Sequence, residues 1–210
     1  MPSLLVALAS LTLAQADVSA KEPAQTVKVE PAAAAETKET APIWPASPSK
    51  RRFEINTGAS FAMRGLGTFG GNGTLGISVR ILSFLRPEVV LGYGLYDAPF
   101  QLVTLIRAGL RGELPIEFPV RPYVWVAFAH NHEVPMDMVA MHPVESLLGT
   151  SEHGTHHRTG IEFGGGVSFD LVQFRDAGIG LRAGLRATGA IFLGNDPAYA
   201  DLQVTLGTTF

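Results

Sequence analysis

From residue 53 onward the chain alternates with a period of two. In residues 53–61, Phe53, Ile55, Thr57, Ala59 and Phe61 oppose Glu54, Asn56, Gly58 and Ser60. In 74–81, Leu75, Ile77, Val79 and Ile81 oppose Thr74, Gly76, Ser78 and Arg80. The same pattern fills 161–171, 179–187 and 202–210, and three looser segments, 88–97, 100–111 and 122–132, complete a set of eight. Strict alternation over such lengths predicts strands with one apolar and one polar face. The predicted strands, about 9–12 residues long, are near the length that crosses a bilayer when tilted.

The composition of the two faces decides which way they point. The polar face is crowded with Gly, Ser and Thr and carries a few charges of both signs, without the Lys/Glu coat of a sheet that meets water. The other face is Leu, Val, Ile, Phe and Ala. A soluble barrel turns its apolar face inward. Here small residues and paired charges suit a narrow interior and the apolar face suits lipid. An eight-stranded interior is just wide enough for side chains to fill it. The expected fold is therefore all-β: an eight-stranded antiparallel up-and-down transmembrane barrel.

The predicted connections alternate too. Residues 62–73, 97–100, 131–158 and 192–200 lie at one end, and the shorter 83–87, 113–121 and 173–177 at the other. Short turns on one side and longer loops on the other are expected of an outer-membrane barrel. Two aromatic girdles are expected as well. One comprises Phe53, Phe84, Phe118, Tyr123, Trp125, Phe174 and Phe210 at the turn end; the other comprises Phe61, Tyr96, Phe100, Phe128 and Phe192 at the loop end.

Upstream of this domain, residues 51–210, the composition changes twice. Residues 1–16 (MPSLLVALASLTLAQA) hold an apolar stretch, Leu4 to Leu13, followed by Ala14-Gln15-Ala16, which fits a signal peptide cut after Ala16. Residues 17–50 carry five Pro, an Ala run and alternating Lys and Glu, the makeup of a disordered periplasmic linker. All 23 Gly and all 12 Arg lie beyond that linker, and all four Lys lie within it.

Residues 52–210 resemble the small eight-stranded outer-membrane barrels typified by the transmembrane domain of outer membrane protein A. The final strand LQVTLGTTF, ending in Phe210, is similar to the signal that family presents to its assembly machinery. The resemblance implies a bacterial outer membrane, both termini in the periplasm, and Phe210 as an assembly signal read by the barrel assembly machinery. Outer-membrane lipids are the expected surroundings and a monomer the expected state. The resemblance covers the barrel alone, and the expectation is a barrel without the peptidoglycan-binding domain that follows it in the typifying member of the family.

Composition closes several routes. The 210 residues have a net charge of −3 and no Cys, so there is no global basic face for nucleic acid and no thiol chemistry. Beyond the N-terminus no apolar run is long enough for a membrane helix. The expected lumen network sets Glu54, Glu162 and Asp170 against Arg80, Arg107, Arg111, Arg182 and Arg186. Guanidinium forks pair with carboxylates two-point fashion, which predicts a structural plug. The alternative is a narrow anion or small-solute pore, because Arg rings favour anions. Arg51, Arg52, Arg86, Arg121 and Arg175 at the turn end suit lipid phosphates.

All six His, namely His130, His132, His142, His153, His156 and His157, fall in the expected extracellular loop 131–158 or at its edge. Imidazole suits Zn or Cu, so a metal-binding surface protein is a further alternative, although no cofactor is required by the barrel itself. His130 and His132, two apart, share a face if the segment is extended. Residues 136–148 suit a short amphipathic helix on the membrane or over the barrel mouth. A lipid hydrolase would need His130 or His132 as base, Glu133 to orient it, and Ser146 or Ser151 as nucleophile. The related deacylase pattern places Ser two residues after His. Here His132 stands at that position, so the expected protein is not an enzyme.

Overall fold

The computed structural model describes residues 52–65, 67–97, 99–116, 118–148, 155–174, 177–194 and 196–210. The expected signal peptide (1–16) and linker (17–50), together with Arg51, Ser151, His153 and Arg175, lie outside the described residues. Eight strands run in chain order: β1 (Phe53–Arg64), β2 (Thr68–Val79), β3 (Leu85–Asp97), β4 (Phe100–Glu113), β5 (Val120–Pro135), β6 (His156–Phe174), β7 (Ile179–Phe192) and β8 (Tyr199–Thr209). Each pairs antiparallel with its neighbour in sequence, and β1 pairs with β8 to close the barrel. At that seam Phe53 and Phe210 exchange backbone hydrogen bonds of 2.9 and 3.0 Å, and their rings stack. Closure leaves no sheet edge, so every strand can meet hydrocarbon without orphaned backbone groups.

The faces point as the alternation predicts. Leu75, Ile77 and Leu206 are 50%, 52% and 53% exposed on the outside, whereas Arg182 and Glu162 are 3% and 6% exposed within. With an apolar outside and a charged inside, the barrel is a transmembrane one.

The strands are longer than the alternation alone marks, and the connections correspondingly shorter. The expected loop 62–73 shrinks to residues 65–67, because Gly70 to Gly73 continue the β2 ladder opposite Ala59 to Ala62. Glycine on both faces hid that stretch from a reading based on apolar marks. Gly65, at φ 58°, takes the left-handed conformation the tight turn requires. The expected loop 131–158 shrinks in the same way to 136–155, since β5 and β6 pair as far as Glu133 and His156. The difference in connection length between the two ends thus rests on this one excursion. It holds two short helices, α1 (Met136–Met141) and α2 (Pro143–Leu148). Neither caps the lumen: α1 packs against β4 and β5, and the outward-facing Thr104 hydroxyl donates to the Leu147 carbonyl.

Two expectations about side chains are corrected. Tyr96, Tyr123, Trp125 and Phe192 do not belong to the girdles; they are buried inside the barrel. They fall on the inward parity of their strands, alongside the lumen charges. The girdle members Phe53, Phe61, Phe84, Phe100, Phe118, Phe128, Phe174 and Phe210 do face outward. Arg86 and Arg121 are not at lipid phosphates, because β3 and β5 begin early enough to turn both inward, where they are 0% and 3% exposed.

A cation on the outer face should be costly. Leu75→Arg, near the middle of β2, should destabilise the folded barrel by about 2–4 kcal/mol. Urea unfolding in lipid vesicles, followed by the heat-dependent gel shift, would measure it; an unchanged midpoint would contradict the assigned orientation.

Candidate functional site

Alternation brings charges from almost every strand to one axis, and the barrel's narrowness makes them touch. At the turn end Glu54 of β1 sits among three guanidiniums. Arg111 of β4 donates to both of its oxygens, at 2.7 and 3.2 Å, and Arg182 of β7 reaches it at 2.9 Å. Arg86 of β3 lies 3.4 Å away. Glu113, at the end of β4, is shared by Arg80 (3.3 Å), Arg86 (3.2 Å), Arg111 (3.2 Å) and Arg182 (3.1 Å). Asp170 of β6 takes Arg182 at 2.8 Å and Arg121 on its other oxygen. Glu88 of β3 bridges Arg186 (2.6 Å) to Arg111 (3.2 Å), which links this layer to the next.

Midway up, Arg107 donates to Glu162 at 2.6 Å and to the Asn131 side chain at 2.7 Å, and the Trp125 indole donates to the second Glu162 oxygen at 2.8 Å. Arg186 lies 4.5 Å over the Trp125 ring, while Tyr123 takes Arg111 and Arg186 at 5.5 and 5.7 Å. These aromatics give the guanidiniums a planar surface as well as a charge partner. Gly166 makes this arrangement possible: a Cβ there would fall 2.6 Å from the Tyr123 ring. Nearer the loop end Asp201 accepts from Tyr199 (2.7 Å), Ser60 (3.0 Å) and Asn72 (3.2 Å). Glu133 takes Arg64 and Arg158, and Arg158 continues to Asp196 at 3.1 Å. Between the layers lies a cavity of about 20 Å³, bounded by Arg107, Glu162, Arg186 and Asp201 among others. That is room for about one water.

All eight residues of the expected lumen network are therefore found in contact along the axis. Sequence reading missed Arg64, Arg86, Glu88, Glu113, Arg121, Glu133 and Arg158. The signal for Arg86, Glu88 and Glu113 was parity: Glu88 opens the expected segment 88–97 on its inward series, and Arg86 and Glu113 continue inward series past the expected strand ends. Glu88 and Glu113 add two acids to Glu54, Glu162 and Asp170, while Arg86 and Arg121 add two cations. Arginines therefore still outnumber carboxylates in these layers, and Glu54, Glu88, Glu113 and Asp170 are each shared.

The histidines separate. His130 and His132 face outward on β5, and His157 stands directly opposite His132 on β6. His142 instead pairs with Glu145 at 3.3 Å on the exposed helical excursion. Glu133, which a hydrolase would need beside the histidines, points to the other side of the sheet, into the lumen.

No family model and no curated protein matches this chain. Solved structures do match in shape. The crystal structure of Neisserial surface protein A superposes with a TM-score of 0.52 at 18% identity, covering 75% of this chain and 97% of that one. The N-terminal β-barrel domain of Pseudomonas aeruginosa OprF gives 0.43 at 18%, covering 77% and 99%. The outer membrane enzyme PagL gives 0.47 at 12%, covering 72% and 97%. The chain has the fold of the small outer-membrane barrels. Within that fold the lumen is this barrel's most built feature, and its ion pairs set a measurable cost. Truncating one partner of a buried pair strands the other's charge, at about 3–5 kcal/mol. Arg111→Ala should lower the unfolding free energy in vesicles by at most that much, because Arg182 and Arg86 still face Glu54. Arg111→Lys should recover only part of it, because an ammonium cannot make the two-point contact with Glu54.

Proposed function

We propose that this protein is an integral outer-membrane barrel with a mainly structural or surface-interaction role and a lumen that does not conduct. The observation that carries this reading is the continuity of paired charges along the axis, from Asp170 and Glu54 through Glu88 and Glu162 to Glu133, around a cavity of about 20 Å³. A hydrated ion cannot pass without parting these pairs, and each pair resists by its own desolvation. The pore alternative rests on an excess of Arg over acids in the lumen; the arginines there are each held by carboxylates, Glu88 and Glu113 among them, rather than free to line a passage.

The surface role falls to residues 136–155. Met141, Val144 and Leu148 expose apolar side chains on the helical excursion beside the outer wall of β4 and β5. That position suits the headgroup region of the outer leaflet, or a partner that approaches along it. A non-enzymatic role agrees with Glu133 being turned away from His130 and His132. Residues 17–50 complete the reading as a periplasmic tether. Phe210, seated at the β1–β8 seam, is the signal read during assembly as a monomer.

Planar-bilayer recording of the full chain tests the lumen. Wild type should give no steady unitary openings, and Arg107→Ala should admit brief ones by removing the partner of Glu162. Stable wild-type openings whose ion preference inverts in Arg107→Glu would establish the anion-pore alternative instead.

A further inference from the structure

The lumen network leaves three histidines unused, and they occur together. His130 and His132 stand two apart on β5, so their side chains emerge on the same outer face. His157 is the β6 residue paired with His132. Two residues along one strand and one across from them form the tightest triangle a sheet offers. The side chains converge accordingly. The His130 and His132 Nε2 atoms are 2.6 Å apart, and one ring nitrogen from each of the three histidines lies within 4.8 Å of the others. Ring centroids are separated by 4.5 Å (His130–His132), 4.6 Å (His132–His157) and 5.8 Å (His130–His157).

Two details argue against a mere surface cluster. Phe128 stacks on His130 with the rings 9° from parallel, which holds that imidazole in place. The His132 Nδ1 is buried and has no hydrogen-bond partner among the described residues. Imidazole lone pairs brought this close repel one another unless a proton or a cation lies between them. The carboxylate nearest in sequence, Glu133, is committed to Arg64 and Arg158 inside the barrel, so it does not supply the counter-charge.

We infer that His130, His132 and His157 form a three-nitrogen site for a divalent late first-row metal ion, Zn²⁺ foremost, on the outer wall of the barrel at its loop end. Three neutral imidazoles with no thiolate or carboxylate suit Zn²⁺, Cu²⁺ or Ni²⁺. A tetrahedral ion with Zn–N bonds of about 2.0–2.1 Å needs its nitrogens roughly 3.3 Å apart. The separations here bracket that value: the His130 and His132 nitrogens must open from 2.6 Å by a small ring rotation, and the exposed His157 must turn toward them. Three protein ligands leave the fourth position to water. His142 and His156 take no part, since His142 sits on the helical excursion with Glu145 and His156 lies outside the cluster. The site is independent of the lumen, so it stands or falls separately from the non-conducting reading.

The test is isothermal titration of the untagged, refolded full chain in detergent with Zn²⁺. Each variant is first shown to be folded by its heat-dependent gel mobility. Wild type should bind one ion per chain. His132→Ala and His157→Ala should each weaken binding on the order of 100-fold or more, beyond the usual effect of losing a group outside the ligand set. His142→Ala and His156→Ala should bind as wild type does. Co²⁺ loading of wild type should give the intense visible bands of a four-coordinate ion, lost in His157→Ala. Should His132→Ala fail to fold, the exposed His157→Ala remains decisive. Absence of binding to wild type, equal isotherms for wild type and His157→Ala, or loss on His142→Ala would overturn the assignment.

Discussion

The structure depends on one constraint: charges inside an eight-stranded barrel have almost no water, so each must find a protein partner. The space within such a barrel is filled by side chains. A lone guanidinium or carboxylate there would carry a desolvation penalty of several kcal/mol. Glu54, held by Arg111 and Arg182 and flanked by Arg86, shows how the penalty is met: one acid is supplied with donors from three other strands. These contacts tie β1, β3, β4 and β7 across the axis, where the backbone ladder joins only neighbours around the rim.

That arrangement is possible because other lumen positions give way. Gly166 leaves space for the Tyr123 ring, and Gly94, where a Cβ would fall 1.8 Å from the Asn72 side chain, leaves space for that amide. The inward aromatics are part of the same solution. Trp125 donates to Glu162 and offers its face to Arg186, so one side chain fills volume, satisfies an acid and supports a cation. An aliphatic residue at that position would do only the first.

The outside obeys the opposite rule, and the two faces need not serve the same end. Most outward residues have only to be apolar, with rings near the ends of the strands. His130, His132 and His157 break that rule on adjacent points of β5 and β6, on the outer wall where the helical excursion also lies. A polar cluster on the outer wall departs from the logic of the fold, and it stands apart from the well-paired lumen.

The sequence by itself determined the class of fold, the number of strands and the direction of each face, because side-chain parity is a local property of an extended chain. It also marked Glu54, Arg111, Arg182 and their companions as inward, since each shares the parity of the Gly, Ser and Thr positions within its alternating run. It did not reveal Glu88, Glu113 or Glu133, which sit near strand ends where glycine, proline or charge blurs the pattern. The roles of Tyr123 and Trp125 were hidden for a related reason: β5 is apolar on both faces, and an aromatic can serve lipid or lumen. Tertiary structure decided which acid meets which arginine, how far each hairpin runs, and that His157 stands against His132. Those outcomes depend on the register between strands and on closure of the barrel, and both arise from contacts between residues far apart in the chain.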